Sequence, residues 1–100
     1  MKLDFHYSTA KILDAIHSPS FAKDNINLHL AVLEKQEEKL ANHLVLEPNS
    51  FISELNLELK SCMENIKNVI DTSGIEDNKI SLTALVHEIQ KLCELINNNL

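Results

Sequence analysis

The chain has 100 residues, 44% of them apolar, and a formal net charge of −6 with no arginine. That length makes one domain at most, and the apolar share is enough for a core and too high for disorder. Nine lysines scattered among fifteen carboxylates do not form the basic stripe that a nucleic-acid backbone requires, so direct nucleic-acid binding is set aside.

One glycine, Gly74, and two prolines, Pro19 and Pro48, leave room for long unbroken elements, and apolar spacing is helical nearly throughout. The first predicted helix is capped at Asp4 or Ser8, presents Ile12, Leu13 and Ile16, and stops by Ser18, because the residue before a proline avoids the helical region. Ser18-Pro19 reads as a new helix start, with a short turn through Phe21 and Ala22. The second helix runs from about Asp24 or Asn25 to Leu46, on a face made by Ile26, Leu30, Leu33, Leu40 and Leu44. Gln36 and Glu37 interrupt that face. They are expected to meet water where the neighbouring helices are too short to cover them, and a polar layer that sets partner register is the alternative.

The third helix opens at Asn49 or Ser50 and carries the most regular seam in the chain: Ile52, Leu55, Leu59, Cys62, Ile66 and Val69, widened by Met63 and Ile70. Ser73-Gly74 ends it. The fourth is capped at Asp77 or Ser81 and continues to about Asn97 on Leu82, Leu85, Ile89, Leu92 and Ile96, with Val86 and Cys93 alongside; residues 97–100 are expected to fray. Short connections between amphipathic helices predict an all-α, up-down antiparallel bundle of three long helices plus a shorter N-terminal one, filling residues 1–100 as a single domain.

The N-terminus, Met1-Lys2-Leu3-Asp4-Phe5-His6, has no apolar h-region and no run has the length of a membrane span, so a cytoplasmic location without membrane attachment is expected. Cys62 and Cys93 read as reduced, buried thiols rather than as a disulfide or metal pair. The abundance of Ile, Asn and Lys without Arg is the mark of AT-rich coding, and a bacterial or phage source is expected.

No pattern carries catalysis, a metal or a cofactor, and no enzyme is expected. His87-Glu88 begins like a zinc-binding HExxH motif, but Lys91 stands where the second histidine belongs. His29 and His43 lie about 21 Å apart along one helix, too far for one ion. Lys91 comes one position late for a phosphotransfer histidine at 87, which leaves a histidine phosphotransfer-like domain as a remote alternative. Glu37-Glu38 and Glu76-Asp77 read as solvated acidic faces, and Gly74 alone makes no phosphate cradle.

Four large apolar residues fall off the predicted core stripes: Leu28 and Val32 on the second helix, Leu57 on the third and Leu95 on the fourth. Either the first helix covers some of them, or they form an exposed patch for a partner. Length and bundle pattern resemble those of bacteriocin immunity proteins, secretion-system chaperones and small anti-activator or biofilm regulators. The segment Asn78-Lys79-Ile80-Ser81, followed by Leu82 and Leu85, is similar to helix starts in the first and last of these groups. The resemblance implies a small non-catalytic chaperone, adaptor, inhibitor or immunity-like protein; no functional residue is carried over from it. The expectation is an interaction module that buries Leu28, Val32, Leu57 and Leu95 against another protein, with the acidic exterior favouring a basic partner. A self-associating homodimeric bundle is the alternative.

Overall fold

A computed structural model describes residues 1–18 and 22–100. The described residues form an all-α bundle of four helices: α1 (His6–Ile16), α2 (Ala22–Leu46), α3 (Ser50–Ser73) and α4 (Lys79–Asn99), with one 3-10 turn, Glu76–Asn78, before α4. The expected helix start at Ser18-Pro19 falls at residues 19–21, outside the described residues.

The helices close into a ring. α1 packs on α2 and α4, α2 packs on α3, and α3 packs on α4. Cross-helix pairings give the directions. Asp4 pairs with Gln36 and Tyr7 with His29, so numbers rise along α1 as they fall along α2. Leu3 pairs with Asn97 and Thr9 with Gln90, which sets α1 against α4 in the same sense. Glu34 meets Lys67 and Lys23 meets Asp71 between α2 and α3. The molecule measures 42 × 21 × 18 Å, the length coming from helices of 25, 24 and 21 residues.

The core contains the predicted faces, with a small rotation in α3. Ile26, Leu30, Leu33 and Leu40 of α2 are buried, as are Leu82, Val86, Ile89, Leu92 and Ile96 of α4. In α3 the buried line is Ile52, Leu55, Leu59, Met63, Ile66 and Ile70, while Cys62 and Val69 sit half-buried at its edge. Met63 and Ile70, read from sequence as widening the stripe, lie deeper than the seam residues beside them.

α1 has 11 residues and spans only part of α2 and α4. The N-terminal strap, residues 1–5, completes the wall. Leu3 and Phe5 enter the core, and two carboxamides hold the backbone between them. Asn97 Oδ1 accepts from the Leu3 amide at 2.8 Å and its Nδ2 donates to the Leu3 carbonyl at 2.8 Å. Gln36 does the same for Asp4, accepting at 2.8 Å and donating at 2.7 Å. Each side chain thus pairs with a residue as a neighbouring β-strand would, satisfying backbone groups that no helix serves. The Thr9 hydroxyl donates to the Phe5 carbonyl at 2.7 Å and accepts from Gln90 Nε2 at 3.0 Å, fastening the start of α1 to α4.

Several expectations are corrected by this strap. Gln36 is half-buried and clamps Asp4 through two hydrogen bonds that stay open to solvent, whereas Glu37 is buried. Residues 97–99 continue α4, with Asn97 anchored on Leu3. Neither Asp4 nor Ser8 caps α1, whose N-cap position is Phe5. α4 likewise lacks an Asp77 or Ser81 cap. Asn78 occupies its N-cap position and turns its amide back to the Gly74 carbonyl at 2.9 Å. Asn49 does cap α3, accepting from the Ile52 amide at 3.1 Å.

Gly74 ends α3 at φ 79° and ψ −178°, a region open in practice to glycine alone. An added Cβ would meet no atom within 4 Å, so the backbone alone resists substitution. Gly74→Ala is expected to lower the unfolding free energy by about 1–3 kcal/mol in urea titration, and an unchanged midpoint would show that the loop relaxes. Phe5→Ala removes the strap's larger anchor; the same titration should register a loss of about 3–5 kcal/mol. A loss below about 1 kcal/mol would mean that the strap contributes little to the fold.

Candidate functional site

α2 is unusual in presenting two lines of residues at helical spacing. The inner line forms the core. The outer line is Leu28, Val32, Lys35, Lys39, Asn42 and Leu46, each three or four residues from the last, and all six are exposed. α2 touches α1 and α3 and no other helix, so this outer line lies along the open side. Leu28 is 62% exposed, Val32 41% and Leu46 82%. Single exposed leucines are ordinary, but three large apolar residues on one line of one helix are not.

The four residues singled out from sequence separate into three places. Leu28 and Val32 lie one turn apart on α2's open face, and Val32 borders a cleft with the strap, alongside Lys2, Asp4, Lys35 and Lys39. Leu57, 67% exposed, stands on α3. The Glu34–Lys67 and Lys23–Asp71 pairings together place it level with about Leu40 of α2, roughly 18 Å along the bundle from Leu28. Val45, Leu46 and Phe51 are also exposed, beside the turn that joins α2 to α3. Leu95 differs from expectation: it is half-buried and packs against the core, so it leaves the exposed set. α1 covers none of the others, because it lies in the angle between α2 and α4.

Val45, Leu46 and Phe51 went unmarked in the sequence because they flank the Pro48 turn, where helical phase is lost. Leu46 does continue the phase of Leu28 and Val32, and the 4, 3, 4, 3, 4 spacing of the outer line was the signal available.

Charge is sorted around α2. Glu34, Glu37 and Glu38 turn toward α3, where they share a groove with Lys60, Glu64 and Lys67. Lys35 and Lys39 face outward. Among the described residues, the lysines that form ion pairs are Lys23, Lys67 and Lys79, so Lys35 and Lys39 have no carboxylate partner.

Reactive groups do not converge. Cys62 and Cys93 are both free. Burial pushes the Cys93 thiol above its ordinary range; the Phe5 backbone amide opposes this and the Asp4 and Glu94 charges add to it. Burial, then Glu88 and Glu58, raises Cys62 likewise. A raised thiol is a poor nucleophile at neutral pH. His87 is exposed, with Nδ1 3.1 Å from Gln90 Oε1. Among the described residues, no three His, Cys, Asp or Glu side chains are placed to hold a metal, and no helix is long and apolar enough to cross a membrane.

No protein-family model matches the chain, and neither a curated protein nor a solved structure matches it.

Because the outer line touches no other helix, Leu28→Glu and Leu46→Glu are expected to leave stability within about 0.5 kcal/mol of the parent. Leu95→Glu would place a carboxylate against the core and cost several times more. Thermal melts of the three variants check this; a large loss in Leu28→Glu would put that residue inside a packed face.

Proposed function

We propose that this chain is a non-catalytic protein–protein interaction module, of chaperone, adaptor, inhibitor or immunity type, whose binding face is the open side of α2. One observation carries the reading: Leu28, Val32 and Leu46 are exposed large apolar residues on the side of α2 opposite its core line. Covering such a face with a partner removes apolar surface from water at little ordering cost, because the helix is already formed.

A photo-cross-linking amino acid placed at Leu28 or at Leu46 tests the reading in the native host, with Lys60 and Lys91 as control positions. Both α2 positions should yield an adduct with the same heterologous protein, and the controls should not. Adding Val32→Glu should abolish the adduct. An adduct of twice the chain's mass would transfer the reading to a homodimer, and equal labelling at all four positions would reject the face.

A further inference from the structure

The outer line of α2 has a polarity pattern as well as a shape. Its ends are apolar, Leu28 and Val32 at one and Leu46 at the other, and its middle is Lys35, Lys39 and Asn42. The line is straight along about five helical turns, roughly 27 Å from Leu28 to Leu46. A single partner helix laid alongside would meet residues at every third or fourth position, which is how amphipathic helices are read.

We propose that this face binds an acidic amphipathic helix of another protein, with apolar side chains over Leu28–Val32 and Leu46 and carboxylates facing Lys35 and Lys39. The inference rests on the interaction reading above and adds the chemistry of the partner. Two lysines without ion-pair partners sit between the apolar ends, while the glutamates of the same helix turn away toward α3. Lys2 stands in the adjoining cleft and brings a third ammonium to the same side, against two carboxylates, Asp4 in the cleft and Asp24 one turn before Leu28 on the line. A partner that covers the apolar ends must also cover the lysines, and only a carboxylate there offsets their loss of water.

The lysines also disfavour one competitor, the symmetric pairing of α2 with α2 of a second copy. Pairing two α2 helices antiparallel about the midpoint of the line would bring four lysines together, and parallel pairing would oppose each lysine with itself. Like charges facing one another across a helix seam are a device against the wrong pairing. The net charge of −6 points to a basic partner, but it is a property of the whole surface. At physiological ionic strength charges beyond about 8 Å are largely screened, so the two local lysines decide what fits here.

Two synthetic 21-residue helical peptides serve as probes. Both carry leucines spaced to meet Leu28, Val32 and Leu46; one has glutamates and the other lysines at the two positions facing Lys35 and Lys39. Fluorescence anisotropy with the intact protein should show the glutamate peptide binding at least about tenfold more tightly, a difference of about 1.4 kcal/mol. The double variant Lys35→Glu/Lys39→Glu, shown by circular dichroism to fold as the parent does, should reverse the preference. Equal binding of both peptides, lost in Leu28→Glu, would overturn the acidic partner while leaving the apolar face standing. Binding of neither peptide, with the cross-linked partner still obtained, would overturn the helical occupant. Loss of both results would remove the interaction reading itself.

Discussion

α2 has two faces with the spacing of a seam, and a four-helix ring can bury only one. The inner face offers Ile26, Leu30, Leu33, Leu40 and Leu44. The outer offers three apolar residues separated by Lys35 and Lys39. Turning the outer face inward would take two ammonium groups out of water without partners, which costs several kcal/mol for each, and would expose five large apolar side chains in exchange. The lysines therefore fix the rotation of α2 as firmly as the leucines do. That rotation sets which side of α2 receives α1, which receives α3, and which is left open. Glu37 is the exception on the inner side: it is buried and lines the groove that also holds Glu34, Glu38, Lys60, Met63, Glu64 and Lys67.

The second constraint is the shortness of α1. A ring of three helices of more than twenty residues needs a fourth wall of similar length, and α1 supplies less than half of it. Extended chain makes up the rest, at the cost of backbone groups that need partners. Gln36 on α2 and Asn97 on α4 provide them in matched pairs, one on each side of the gap. The residues that break the apolar rhythm at Gln36 and at the asparagine-rich end of α4 are thus the ones that close the bundle. Phe5 and Leu3 fill the space that longer helical side chains would otherwise occupy.

Helix existence and most core positions could be read from spacing alone, because the 3-and-4 rhythm is a property of neighbouring residues. The strap could not. Leu3 and Asn97 are 94 positions apart, and Asp4 and Gln36 are 32 apart. Nothing local distinguishes a clamping carboxamide from a solvated one, so Gln36 was read as facing water and Asn97 as a fraying end. The caps at Asp4, Ser8, Asp77 and Ser81 failed for a related reason: good capping residues compete, and the tertiary path of the strap and the Gly74–Asn78 turn chose others. For the exposed face, Leu28, Val32 and Leu57 were visible as residues off the core stripe. Leu95 looked the same by angle but packs against the core. Lys35 and Lys39 were lost inside a run of charges that reads as a uniform polar face, though half of that run faces α3 and half faces outward.

An acidic protein that presents lysines on the outward face of α2 sets long-range and short-range electrostatics against each other. At a distance the net charge of −6 repels an acidic partner and slows encounter. At contact the lysines attract it. Added salt screens the first effect at separations beyond the Debye length before it weakens the second at close range. Association through this face should then depend on salt less steeply than its charged contacts alone imply, and affinity should rest on the apolar ends while the charged middle selects the partner. That division of labour suits a module of this size. In the proposed interaction, two apolar anchors at the ends of the helix would supply contact area, and two point charges between them would disfavour pairing with α2 of a second copy.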